Sequence, residues 1–120
     1  MKIAVTSSGT TLDSPVDPRF GRAACLIVVD TRLDTFEVHE NARDGEVAEG
    51  RGFQAAETAT RLGAEAVITG QCDPVAFRAL RAAGIQVIVG AQGTVREAIA
   101  GFNQGGLTPL KSFDIEGYWA

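Results

Sequence analysis

The chain has 120 residues, 45% of them hydrophobic and 22% charged, the proportions of one ordinary globular domain; two domains would each have too small a core, so residues 1–120 are expected to form a single one. Eleven Lys and Arg stand against fifteen Asp and Glu, a net charge of −4 with no run of three basic residues, which argues against DNA or RNA as partner because phosphate neutralisation needs a basic face. No apolar run approaches the ~18 residues of a membrane span, and the N-terminal apolar stretch is too short for a secretory leader, so the expected address is the cytoplasm.

Residues 2–6 (KIAVT) are short and β-branched and end at Ser7-Ser8-Gly9, which predicts a buried first strand. A polar loop follows to about Arg22, with Pro15, Pro18 and Gly21 inside it. Residues 24–30 (ACLIVVD) form an apolar run suited to a strand covered on both faces, and residues 35–40 (TFEVHE) alternate as a half-exposed strand should. The turn-like 31–34 between them makes the pair an antiparallel hairpin. Residues 41–52 (NARDGEVAEGRG) read as a loop.

The pattern then changes. Residues 53–62 read as an Ala-rich helix stopped by Gly63, and 66–69 (AVIT) as a buried strand ending at Gly70. Asp73 caps a helix whose first position is Pro74 and whose end is Gly84. Residues 86–89 (QVIV) form the next strand, and Thr94-Val95-Arg96-Glu97 is a capping box opening a last helix through about Phe102. Two successive helix–Gly–strand–Gly units imply right-handed crossovers and parallel strands. The fold class is therefore α/β: a mixed sheet of about five strands with helices on both faces. The tail, residues 108–120, holds Tyr118 and Trp119 without a clear period.

In open α/β sheets ligands gather beyond the carboxyl ends of the parallel strands. Three loops rich in small residues reach that edge: Ser7 and Ser8 after the first strand, Thr69 and Gly70 after the fourth, Gly90 after the fifth. Their backbone N–H groups near helix starts suit an anion; equally, Gly and Ser make turns. The most distinctive segment is Asp17-Pro18-Arg19-Phe20-Gly21-Arg22. Two guanidinium groups and an exposed aromatic wall would clasp a polarizable anion; the plainer reading pairs Arg19 and Arg22 with Asp13 and Asp17 and buries Phe20. Cys72, just before the helix cap, has a position that favours thiolate and soft metals, or is a small packed residue. Cys25, inside an apolar strand, reads as buried, and neither cysteine sits in a CxxC or zinc-type spacing. His39, the sole histidine, has no evident partner for acid–base work.

The motif DPRFGR before an apolar strand, the Asn-led loop, the Gly-bounded αβ repeats and TVREAI followed by GGL together resemble the dinitrogenase iron–molybdenum cofactor biosynthesis family. The likeness runs from Lys2 to about Leu107, and DPRFGR is its most specific element. It implies a ribonuclease-H-like three-layer fold and a role in carrying or protecting iron–molybdenum cofactor precursors. It also implies kinship with small stand-alone orange proteins, which hold a molybdenum–copper sulfide cluster non-covalently. Asp17, Arg19, Phe20, Gly21 and Arg22 match the motif beside the presumed cluster pocket. Two departures stand out. Relatives often have His-Gly-x-Gly where this chain has Glu49-Gly50-Arg51-Gly52, so a metal-ligating histidine is missing there, and Cys72 replaces a more usual Gly.

Three functions compete. A non-catalytic carrier or store would neutralise an anionic cluster with Arg19, Arg22 and Arg51, shield it with Phe20 and bond its sulfides through backbone N–H groups, with Cys72 the candidate metal ligand. A metal-dependent nuclease needs carboxylates on the central strands, and KIAVT has none; a P-loop hydrolase needs GxxxxGK[ST], which is absent. The chain is thus not expected to be an enzyme. A regulatory module working with a P-loop ATPase, a partner implied by the resemblance, is the alternative.

Overall fold

The computed structural model describes residues 1–40 and 51–106, with side chains from 54 onward in the second stretch. The expected loop at 41–50, the side chain of Arg51 and the tail from 107 lie outside the described residues. The elements are β1 (Lys2–Ser7), β2 (Cys25–Asp30), β3 (Thr35–Glu40), α1 (Arg51–Arg61), β4 (Ala66–Ile68), α2 (Pro74–Ala82), β5 (Gln86–Ile88) and α3 (Val95–Asn103).

The five strands form one sheet in the order β3-β2-β1-β4-β5. β1 pairs antiparallel with β2, and β2 with β3, while β1–β4 and β4–β5 are parallel. The mixed sheet expected from sequence is therefore present, and its layers follow from strand alternation. Ala4, Leu26, Val28, Val67 and Val87 face one side, where they pack with Ala55, Ala56 and Ala59 of α1 and Ala76, Phe77 and Leu80 of α2. Ile3, Val5, Ile27, Ile68 and Ile88 face the other, against Val16 and α3 through Val95 and Ala98. β2 is buried from Cys25 to Val29, and each such aliphatic side chain contributes roughly 1.5–3 kcal/mol. β3, an edge strand, is more open than expected: Phe36 remains 43% exposed and Val38 is only partly covered.

Local signals set the boundaries. Asp73 accepts a hydrogen bond from the Ala76 N–H at 2.8 Å, with Pro74 in the first turn. Thr94 and Glu97 close the capping box reciprocally. Gly63 and Gly84 adopt φ of 80° after α1 and α2, the left-handed stop that glycine permits. α1 starts two residues earlier than expected, at Arg51, and runs through Gly52.

Because β1, β3, β4 and β5 run the same way, their carboxyl ends lie along one edge of the sheet. α1, α2 and α3 lead back from that edge, so their N-termini open there too. The candidate site belongs to this edge.

Candidate functional site

The segment after β1 folds back over the edge as a strap. Ser8 N–H donates to Pro15 O at 3.0 Å, Asp17 N–H to Thr6 O at 2.9 Å, and Val16 N–H to Gly93 O at 2.9 Å. Isolated bridges join Ser7 to Val16, Pro15 to Thr94 and Arg19 to Gln71. The strap thus crosses from the end of β1 to the loops after β4 and β5.

This crossing changes the expected supply of free N–H groups. At the start of α3, Val95 N–H donates to Ser14 O at 2.9 Å and Arg96 N–H to Leu12 O at 2.8 Å. Glu97 N–H is taken by Thr94 Oγ1, and Thr94 N–H by Glu97 Oε1. That terminus has no backbone N–H left for an anion. Gly90 N–H donates to Gly70 O at 2.9 Å, which ties the two Gly loops to each other. The start of α2 carries the Asp73 carboxylate as its cap, which disfavours a second negative group. The first turns of α1 and α2 both lack an acidic residue.

Several predicted site residues turn inward. Ser7 and Thr69 are buried. The Ser7 hydroxyl donates to Gly9 O at 2.8 Å, and Thr69 Oγ1 stands 2.9 Å from Thr6 Oγ1. Thr6 Oγ1 also donates to Asp17 O at 2.8 Å. Ser8 is exposed, its hydroxyl donating to Pro15 O at 3.2 Å.

Within DPRFGR each residue has a separate task. Asp17 Oδ1 accepts the Arg19 N–H at 3.0 Å, an Asx turn that bends the chain just after Pro18. Phe20 N–H donates to Gln71 O at 2.9 Å, and Arg22 N–H to Arg19 O at 3.3 Å. Gly21 sits at φ 91°, which lets the strap turn back toward β2. The expectation of Phe20 as an exposed wall is overturned: its ring is 5% exposed and belongs to the core beside α1 and α2. An aromatic ring gains more from that core than from water.

The two guanidinium groups are not drawn off by neighbouring acids. Asp13 Oδ1 pairs with Arg96 Nε at 3.0 Å, and Asp17 accepts the Arg19 backbone rather than its side chain. Arg19 and Arg22 are exposed, and among the described residues neither enters an ion pair. The surface pairing with Asp13 and Asp17 is therefore not what the structure contains.

Of the two readings of Cys72, the structure has the packed residue rather than the exposed thiolate. It is fully buried, and burial, with a smaller contribution from the Asp73 carboxylate, pushes its thiol up to about 12. Its sulfur donates to Asp73 O at 3.6 Å. Here the thiol is neutral and packed, because desolvation outweighs the favourable field of the helix start. Cys25 is buried in β2 as expected. His39 is half-buried with Nε2 3.5 Å from Glu37 Oε2. Among the described residues no three His, Cys, Asp or Glu gather as a metal site.

Sequence reasoning places Thr6 and Gln71 in the small-residue loops at this edge but misses their role in holding the strap. One signal was available for the threonine: KIAVT and AVIT both end in Thr, and the parallel register of Val5 with Ile68 places Thr6 beside Thr69. No local signal marks Gln71, which holds the strap through its carbonyl.

The family model described as dinitrogenase iron-molybdenum cofactor matches residues 1–105. The chain belongs to that family. Among solved structures, it is similar to the apo form of the orange protein from Desulfovibrio gigas, with 41% identity, TM-score 0.87, and coverage of 91% of this chain and 92% of that one. It is also similar to a Thermotoga protein of the DUF35 family, with 33% identity, TM-score 0.74, and coverage of 91% of this chain and 92% of that one. A search of curated proteins gave no match. Family membership gives the chain a cofactor-related role, and the three-layer fold agrees with the orange protein's. No described helix is long and apolar enough to cross a membrane.

Proposed function

We propose that this member of the dinitrogenase iron–molybdenum cofactor family is a non-catalytic carrier or store that holds an anionic metal–sulfur cluster, either a molybdenum–copper sulfide or an iron–molybdenum cofactor precursor. The observation that carries the reading is the pair of exposed guanidinium groups, Arg19 and Arg22, free of acid partners among the described residues and mounted on a hydrogen-bonded strap. Arg51, the first residue of α1, belongs to the same edge of the sheet.

A cluster of this kind brings its own sulfide coordination sphere, so the protein needs hydrogen-bond donors rather than metal ligands. Guanidinium is planar, weakly hydrated and permanently charged, which suits a large, diffuse anion better than an ammonium does. The lack of a metal-ligand cluster among the described residues is consistent with such capture. Cys72 ligates only if the packing over it opens.

The test is to mix the protein anaerobically with tetrathiomolybdate and Cu(I), desalt it, and record metal content and the visible spectrum. Retained sulfide-to-metal absorption with stoichiometric molybdenum and copper is expected. Arg19→Ala with Arg22→Ala should lose most of that retention while the circular dichroism stays native; unchanged retention would remove the guanidinium clamp. A metal-free wild-type product would point instead to an iron–molybdenum precursor or to an interaction module for a P-loop ATPase.

A further inference from the structure

Thr6, Thr69 and Gly70 lie beneath the strap, which Thr6 and Gly70 touch directly. Gly70 keeps an ordinary backbone conformation, with no positive φ, so its lack of a side chain is not a matter of left-handed torsion. A Cβ placed on it would stand 2.6 Å from Pro18 Cα and 2.7 Å from Pro18 O. Real Cβ atoms do not approach backbone so closely, so any side chain here forces the strap at Pro18 outward. The glycine is required by close approach alone.

The threonines supply the polar half of the seat. Both are buried to about 1% exposure or less, and a buried hydroxyl left unbonded costs about 1–3 kcal/mol. Thr6 Oγ1 meets Asp17 O at 2.8 Å and Thr69 Oγ1 at 2.9 Å, while Thr6 O accepts the Asp17 N–H at 2.9 Å. Asp17 is therefore gripped through both its N–H and its C=O. Two residues later, the Arg19–Gln71 bridge and the Phe20 N–H bond to Gln71 O continue the strap along the residue after Gly70.

We infer that Thr6, Thr69 and Gly70 are positioning residues, which seat the strap across the ends of β1 and β4 and so fix where the guanidinium groups of Arg19 and Arg22 stand. None of the three touches the anion. For Thr69 and Gly70 this replaces direct binding with action through Asp17 and Pro18. The purpose of the seat rests on the cluster reading above; its existence rests on geometry alone.

The experiment keeps the two apart by reading strap seating without a ligand. Gly70→Ala, Thr6→Val and Thr6→Ser are digested with trypsin under native conditions, and peptides ending at Arg19 or Arg22 are quantified by mass spectrometry. Cleavage after Arg61 and Arg78, on the helices, serves as the control for global opening. Each variant is also loaded with tetrathiomolybdate and Cu(I). Gly70→Ala and Thr6→Val are expected to raise strap cleavage about tenfold, as for a local opening equilibrium displaced by one decade, with helix cleavage unchanged and cluster retention reduced. Thr6→Ser, which keeps the hydroxyl, should restore both. If strap cleavage stays at the wild-type level in Gly70→Ala and Thr6→Val, the positioning role is overturned, whatever the cluster does. If cleavage rises while retention is untouched, the seat stands and the guanidinium clamp falls. Should Gly70→Ala not fold, the Thr6→Val and Thr6→Ser pair decides alone.

Discussion

Cys72 illustrates how one residue's surroundings override its position. A thiol beside a helix start normally gains thiolate character. Here the side chain lies in the cluster that includes Phe20, Ala76 and Phe77, and loss of water, aided by Asp73, raises it to about 12 from an ordinary 9.0. The sign of the linkage follows: above pH 9 the unfolded thiol loses its proton while the folded one keeps it, so the folded state binds more protons. The stability that Cys72 contributes is complete below about pH 9 and is lost as pH rises toward about 12. Urea unfolding of wild type against Cys72→Ala should therefore show a gap that narrows with alkalinity, by as much as about 1.4 kcal/mol per pH unit in that window. A gap independent of pH would mean that the thiol ionises freely in the folded protein. In the same structure the thiol should react with maleimide far more slowly than in urea at neutral pH, since it is fully buried.

At the scale of the elements, the caps are local chemistry and their energies are separable. Thr94→Ala removes the acceptor for Glu97 N–H and should cost about 1 kcal/mol, as N-cap losses typically do, measured as a lower urea midpoint. Arg96→Ala removes an ion pair whose side chains are 61% and 75% exposed, and should shift stability by less than about 0.5 kcal/mol. If the ion pair proved the larger of the two, the strap–α3 junction would depend on charge rather than on capping. The same locality explains what was legible. Asp73-Pro74, Thr94 to Glu97 and the glycines after α1 and α2 each announce a boundary within a few residues, and β-branched runs announce the strands. All eight elements among the described residues are therefore readable, and only the start of α1, where Gly52 sits inside the helix, is displaced by two residues. The site was less legible because its facts are long-range. Phe20 is buried by residues of α1 and α2 far along the chain. The N–H groups of α3 are consumed by Leu12 and Ser14, more than eighty positions earlier. DPRFGR could be singled out as chemistry, but which of its side chains face water depends on where the strap crosses.

For the whole molecule, charge and site oppose each other. The chain carries −4 in total, so an anionic cluster approaching from afar is repelled, while at contact it meets the guanidinium groups of Arg19 and Arg22, which enter no ion pair among the described residues. Salt separates these regimes because the screening length falls from about 10 Å at 0.1 M to about 3 Å at 1 M. Long-range repulsion is screened first, which should leave the association rate unchanged or slightly faster as salt rises. Close guanidinium–sulfide contacts weaken as well, so the dissociation rate should rise severalfold and dominate the loss of affinity. Stopped-flow absorbance of tetrathiomolybdate–copper binding and release across that salt range measures both rates. In Arg19→Ala with Arg22→Ala the salt dependence of dissociation should flatten. A wild-type dissociation rate indifferent to salt would mean that the cluster is held by packing or by metal–ligand bonds, and the search for its contacts would move from the strap to the start of α1.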